Sequence, residues 1–478
     1  MLFSTYKFIF VFLPIVFFGY YALLKLNRFS LEKVWLIAAS LFFYAQGSIE
    51  FFPFFVGGIV VNYLTGTLLG RWERKTILKR LLFAVVVLAN LALLGYYKYM
   101  DFFIDNVNFL AGTTYPHWNL VLPIGISFFT FQQVAFLVDS YRRETEEYNF
   151  LNYALFVTFF PQLIVGPIVH HKEIIPQLED PANRRINFDN LSKGLMIFII
   201  GCSKKILLSD PLTTDAQAFF AGIHNGIPFI DAWYHSFQYA VSYYFDLSGY
   251  ADMAIGLGYL FNVRIPQNFN SPYKALNFQD YWRRWHITLS RFLSNYVFSN
   301  VYRKGNRWRN FYVATMVTFL VSGIWHGAGW TFVLWGVVNG LLVCIASWRK
   351  RHGKRMRTAP AFLLTTVGII MTRVLFVSDT FHDAWLVYKA MFNFSVAAGS
   401  GVDKIFSIIQ YAMTYLYAQG ETGLILLLAA GICWFAPNTS QIMERHENNR
   451  LSLVWAAGLM VLCIYNMSHV VPFLYFQF

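Results

Sequence analysis

Residues 80–98 read RLLFAVVVLANLALLGYYK, so that no charged residue falls between Arg80 and Lys98. A helix that crosses the hydrocarbon core needs about 20 predominantly apolar residues. Comparable runs recur near 5–25, 31–49, 51–70, 117–140, 149–169, 190–208 and 227–247. The second half adds 311–329, 330–347, 361–378, 404–418, 422–436 and 452–474. The apolar residues come in blocks and not in alternation, which excludes a spanning barrel. Composition agrees: 57% of the 478 residues are hydrophobic and only 13% are charged, against about 25% in soluble domains. Too little polar surface exists to coat a water-facing globule, and the chain reads as an all-α, multi-pass membrane protein.

The charges that remain are unevenly placed. The net charge is +13, from 38 basic and 25 acidic residues. Basic clusters lie at Arg71–Arg80 (RWERKTILKR) and Trp348–Arg357 (WRKRHGKRMR), with smaller pairs at Arg142–Arg143 and Lys204–Lys205. Cations flanking spans mark the cytoplasmic side, and the first two clusters are expected there. With cations scattered over loops and no polar domain to carry them, nucleic-acid binding is not expected. Cys202, Cys344, Cys433 and Cys463 all sit in apolar surroundings without a CxxC pair, so no disulfide framework or metal site is expected. The first run follows only Lys7 and meets no small-residue cleavage site before Leu24–Lys25. It is expected to stay as the first helix.

No linker or internal repeat divides the chain, and a single membrane-embedded domain, 1–478, is expected. Its middle, 121–340, differs from the flanks. There Pro, Gly and polar residues sit among aromatics, as in Leu122–Gln132 (LPIGISFFTFQ), Phe160–Ile168 (FPQLIVGPI) and Tyr243–Gly256 (YYFDLSGYADMAIG). Irregular or polar backbone at membrane depth is tolerated only inside protein or beside a wet cavity. A cavity, tunnel or re-entrant helices are therefore expected in this centre.

Two of the eleven histidines stand out. His326 lies in Val321–Trp330 (VSGIWHGAGW), after a dozen or so uncharged residues and amid Gly323, Gly327, Ala328 and Gly329. The Gly323/Gly327 spacing permits close approach of a backbone or of a slender substrate. An imidazole titrating near pH 6.5 can take a proton from a hydroxyl and return it to a leaving group. A packing histidine satisfied by a neighbour fits the same residues. His286 lies in Asp280–Ser290 (DYWRRWHITLS). If this segment is one helix, His286 shares a face with Trp282 and Ser290. Arg283, Arg284 and Arg291 would then hold phosphate or lipid headgroups, or else anchor a surface helix. His170 and His171, His352 and His469 read as structural. Asp246 and Asp252 lie near tyrosines, and either line a polar cavity or serve as helix caps or buried hydrogen-bond partners.

WRRWHITLS at 282–290 and WHGAGW at 325–330 place two histidines forty residues apart. Together with LPIGISFFTFQ, FPQLIVGPI, YFDLSGYADMAIGLG at 244–258 and NFNSPY at 268–273, this pattern resembles the membrane-bound O-acyltransferase family. It is nearest the branch of alginate O-acetyltransferases, with D-alanyl transferases more distant. The resemblance implies a ring of roughly 11–14 transmembrane and re-entrant helices around a central tunnel, with 121–340 as the catalytic centre. It implies that His326 is the essential catalytic residue and that His286 occupies the second family position. Trp282, Arg283, Arg284, Trp325, Asp246 and Ser290 are the supporting or substrate-binding candidates. It further implies an acyl thioester donor on the cytoplasmic side, acetyl-CoA or another, with no bound cofactor and no metal. The acceptor would be an exported polysaccharide on the outer face, reached with an extracytoplasmic partner protein, in a bacterial inner membrane. Small residues around His326 would leave room for the acyl–pantetheine arm. A related transferase moving D-alanine to teichoic acid or acetyl to peptidoglycan, and a polysaccharide or solute transporter, are the competing expectations.

Overall fold

The computed structural model describes residues 1–26, 30–73, 76–302, 307–354, 356–394, 402–445, 449–469, 471 and 473–474. Arg74 and Lys75 of the first basic cluster, and Arg355 of the second, lie outside them. The regular elements of the described residues are helices, with no strand among them. In chain order the helices are α1 (Leu13–Lys25), α2 (Leu31–Ser48), α3 (Phe52–Arg71), α4 (Ile77–Ala111), α5 (Ile126–Arg142), α6 (Phe150–Thr158), α7 (Phe160–Leu163), α8 (His171–Glu179), α9 (Phe188–Ser203), α10 (Asp210–Ala221) and α11 (Phe229–Leu260). There follow α12 (Phe278–Arg284), α13 (Ile287–Leu293), α14 (Ser299–Val301), α15 (Arg307–His326), α16 (Trp330–Arg351), α17 (Thr358–Val377), α18 (Phe381–Met391), α19 (Val402–Ala418), α20 (Gly420–Phe435), α21 (Thr439–Glu444) and α22 (Arg450–Asn466).

Among the described residues, five helical stretches are long and apolar enough to cross a membrane: Phe8–Lys25, Leu31–Arg71, Ile77–Ala111, Trp330–Arg351 and Thr358–Val377. The α19–α20 pair, bent by 115°, makes a sixth if it is one broken span. The other apolar runs fold as shorter or more polar helices, as a centre rich in Pro, Gly and polar residues requires. The chain is thus a multi-pass membrane protein. At 35 residues, α4 is about 52 Å long and exceeds a hydrocarbon core of about 30 Å.

By their internal contacts the residues form two compact units: residues 1–200 with 250–267, and residues 201–249 with 268–478. The first unit is built on rings and on buried amides. Phe12 meets Phe160 edge-on at 5.4 Å, and Phe3 stacks on Phe43 at 5.6 Å. Between α3, α4 and α5, Asn62 donates to Gln133 and to Asn90, and Asn90 donates back to Asn62 at 2.8 Å. Such amide exchanges satisfy polar groups that lipid would leave bare.

The second unit rests on helix contacts made without Cβ atoms. A Cβ on Gly323 of α15 would lie 2.4 Å from the carbonyl oxygen of Phe332, and one on Gly336 of α16 would lie 2.5 Å from that of Phe319. The two backbones therefore touch where the WHG segment ends α15. One expectation is corrected here: Tyr243–Gly256 does not break the backbone but lies within the continuous 32-residue α11. Gly249 serves packing instead, since its Cβ would lie 2.8 Å from the carbonyl of Gly201.

Gly336→Ala forces a methyl against backbone that cannot rotate away, at a cost of about 1–3 kcal/mol. The detergent-purified variant is expected to melt below the parent. Gly57→Ala, where a Cβ meets nothing within 4 Å, is expected to melt at the parent's temperature or slightly above.

Candidate active site

His326 is the last residue of α15. The chain then turns through Gly327–Gly329 and starts α16 at Trp330. The imidazole is buried and meets three rings nearly at right angles: Trp325 at 4.9 Å, Trp335 at 5.1 Å and Phe376 at 5.3 Å. Edge-to-face aromatic pairs contribute beyond their buried area, so three of them fix this ring firmly. The small residues beside it are filled by protein. A Cβ on Gly327 would lie 2.2 Å from the Phe332 ring. The space expected there for a substrate arm is taken by α16.

The room lies one segment away, at His286. The expectation of one helix through 282–290 is corrected: α12 stops at Arg284, Trp285 is extended, and His286 adopts φ 46° and ψ 54° before α13 begins. A left-handed histidine costs energy that only its surroundings can offset. They do so through backbone bonds to the preceding segment. The Asn270 N–H donates to the Arg284 carbonyl, and the Ile287 N–H to the Asn268 carbonyl, each at 2.9 Å. The Asn268 side chain also accepts from the Thr288 hydroxyl at 2.9 Å. Ser290 reaches Trp282 through the kink and not along a helix face, its hydroxyl donating to the Trp282 carbonyl at 3.3 Å.

His286 lines a cavity of about 190 Å³ with Trp282, Arg283, Ser290, Phe319 and Ser322. Two buried polar atoms in its wall, His286 Nδ1 and Trp282 Nε1, have no hydrogen-bond partner. Buried polar atoms are nearly always paired. Two orphans on one small cavity therefore suit a polar ligand. The His286 ring also faces Trp325, at 6.2 Å, so both histidines pack on the same indole.

A second cavity of about 640 Å³ adjoins the first and shares Gln279 and Arg283 with it. Its wall includes Arg349, Lys350 and Lys354 from the second basic cluster, facing Leu342, Ile345 and Leu364. Cations around an apolar floor suit an amphipathic anion. Arg283 is exposed, whereas Arg284 is committed to Asp280 at 3.0 Å.

Other candidates fall elsewhere. Asp246 is fully buried and pairs with Lys205 at 2.7 Å, while Lys205 reaches Asp210 at 2.6 Å. The second Asp246 oxygen accepts the Leu474 N–H at 2.8 Å. This is an internal ion triad that pins the C-terminal segment, and Asp246 lines neither cavity. Among the described residues, Asp139, His170 and His171 form the one cluster of ligating atoms compact enough for a metal. Here these atoms are joined by hydrogen bonds. His170 Nδ1 accepts the Lys172 N–H at 3.3 Å, which leaves the proton on Nε2, 2.7 Å from Asp139. His171 Nε2 lies 3.0 Å from the same carboxylate and Tyr148 meets its Nδ1 at 3.0 Å. His170 thus presents an N–H to the carboxylate, and the Lys172 ammonium stands 3.8 Å away.

Sequence reasoning missed Arg373 of α17. It is buried, its guanidinium carbon lies 4.3 Å from the Trp285 ring centre, and it donates to the Tyr281 hydroxyl at 3.1 Å. The signal was present, since a lone cation interrupts an otherwise apolar run.

Comparison with known proteins follows the same lines. The model of the membrane-bound O-acyltransferase family matches residues 51–376. A peptidoglycan O-acetyltransferase of Helicobacter pylori is 38% identical over 97% of this chain and 88% of its own length. A probable alginate O-acetylase of Azotobacter vinelandii is 32% identical over the full length of both chains. A teichoic acid D-alanyltransferase of Bacillus subtilis is 26% identical over 56% of this chain and 70% of its own.

His286→Gly removes the left-handed penalty, while His286→Ala keeps it. The glycine variant is expected to be at least as stable as the alanine one, by up to about 1 kcal/mol. Thermal unfolding of the two purified proteins reads the difference.

Proposed function

Since the chain belongs to the membrane-bound O-acyltransferase family, and is an O-acyltransferase, we propose that it carries acetyl from a cytoplasmic acyl thioester to a hydroxyl of an exported cell-envelope polysaccharide. The observation that carries this reading is the pair of adjoining cavities. The wider one is ringed by Arg349, Lys350 and Lys354, and the narrower one by His286 and Trp282, with Arg283 on both. A thioester donor such as acetyl-CoA has phosphates at one end and a thin, mostly neutral arm at the other. The basic cavity suits the phosphates, and the apolar one suits the arm. The positive-inside rule puts the basic end in the cytoplasm.

In this reading the acceptor hydroxyl reaches His326, which itself lines neither cavity, and gives up its proton there as its oxygen attacks the thioester carbonyl. The new C–O bond forms, and the carbonyl pair moves onto oxygen. The unpartnered Trp282 N–H is the candidate donor to that oxyanion. Collapse of the intermediate breaks the C–S bond, and the imidazolium returns its proton to the departing thiolate. His286, held in a strained turn at the cavity wall, orients the carbonyl. The thioester is already activated, and the residues present suffice for transfer. An extracytoplasmic partner delivers the acceptor or receives the acetyl group. The match to a peptidoglycan O-acetyltransferase over nearly the whole chain favours peptidoglycan as a second acceptor to test beside secreted polysaccharide.

His326→Ala, expressed at the parent's level in cells lacking the native gene, is expected to leave no ester-linked acetate above background on either polymer. Full acetylation would overturn the assignment, and a glycan that is no longer exported at all would favour the transporter reading. Replacing Arg349, Lys350 and Lys354 by Gln together is expected to raise the donor KM about tenfold with little change in kcat. Initial rates of acetyl-CoA consumption by purified protein measure this.

A further inference from the structure

Arg373 is a buried cation at which no carboxylate stands among the described residues. It sits in α17, a helix apolar enough to span, and is only 3% exposed. Its guanidinium carbon lies 4.3 Å from the ring centre of Trp285, 4.8 Å from that of Tyr243 and 5.3 Å from that of Phe376. Among the described residues its one hydrogen bond goes to the neutral Tyr281 hydroxyl, at 3.1 Å. No carboxylate pairs with it among the described residues.

Ring faces attract a guanidinium and offset part of its lost hydration. They do not neutralise it. An apolar side chain of similar length would fill the same cage without bringing a charge out of water, and such exchanges of buried ions for hydrophobes are often neutral or stabilising. Stability alone therefore does not account for a cation here.

Two of the rings that cage Arg373 stand next to the two histidines. Trp285 immediately precedes the left-handed His286 and stacks on Tyr281 at 5.6 Å and on Tyr243 at 5.9 Å. Phe376, one turn beyond Arg373, packs against His326 and Trp335, each at 5.3 Å. Tyr243 closes the circuit, 5.3 Å from Phe376. One side chain thus touches the wall behind each imidazole.

We propose that Arg373 is a positioning residue for acyl transfer, holding Trp285 and Phe376 so that His286 and His326 keep their reactive places, and adding a fixed positive charge to the interior behind those rings. The proposal rests on reading His326 as the base. In a low-dielectric interior, such a charge favours negative charge developing at the attacked carbonyl over the neutral ground state. No bond to Arg373 forms or breaks.

Three variants separate this role from simple packing: Arg373→Lys keeps the charge and loses the flat stack, Arg373→Met keeps length without charge, and His326→Ala serves as reference. Two quantities are read: melting temperature after purification, and ester-linked acetate formed per folded transferase in cells lacking the native gene. Packing alone ranks Met at or above Lys in both. The proposal gives opposite orders. Met is at least as stable as Lys, yet its acetate per folded protein falls about 100-fold, while Lys retains about a tenth of the parent's. Equal acetate per folded protein in Arg373→Met and the parent, with His326→Ala inactive, overturns the proposal and leaves the function intact. Activity in His326→Ala overturns both.

Discussion

The backbone contact between α15 and α16 is the constraint on which the site depends. Gly323 and Gly336 allow it, because a Cβ on either would collide with a carbonyl of the other helix. Only at that separation do Trp335 and His326 meet at 5.1 Å across the turn. Packing without Cβ atoms is how helices associate in lipid, where apolar burial brings no gain over the surrounding tails. The catalytic candidate is held by the same contact that joins the helices, and so the glycines and the histidine belong to one device.

Beside it stands a different kind of construction. His286 is placed by a break in the helix, kept in a strained conformation by bonds to residues 268–270. The strain lies beside a cavity with two unsatisfied polar atoms, where a ligand can repay what the fold leaves open. Departures from ideal backbone and from full hydrogen bonding gather at functional sites for this reason.

The sequence made some of this legible and hid the rest. The uncharged run after Arg80 became a 35-residue helix, because nothing but a helix satisfies backbone groups in lipid. The two tryptophan–histidine segments led to the residues that the structure sets around a shared Trp325. What failed were inferences about backbone path. His286 was read along a helix face that ends at Arg284, since long-range bonds from Asn268 and Asn270 decide the turn and leave no local trace. Tyr243–Gly256 was counted among stretches of irregular or polar backbone, and its polar residues lie within one continuous helix whose Gly249 serves close packing. Gly327 was read as space and proved to be filled by Phe332. Asp246 was open between lining a polar cavity, capping a helix and serving as a buried hydrogen-bond partner, and the last holds: it pairs with Lys205, a partner that no spacing rule links to it. Glycine in a sequence marks a missing side chain, and only the fold says what uses the room.

Sidedness is the claim that joins the two cavities to a transmembrane reaction. Its most direct measurement uses sealed membrane vesicles of both orientations, each with acceptor polysaccharide inside and out, given acetyl-labelled acetyl-CoA externally. The account predicts that inside-out vesicles, which expose the cytoplasmic face, place label on the enclosed polymer, and that right-side-out vesicles place none. Label on polymer at the face where the donor was added, or transfer only in right-side-out vesicles, would contradict it.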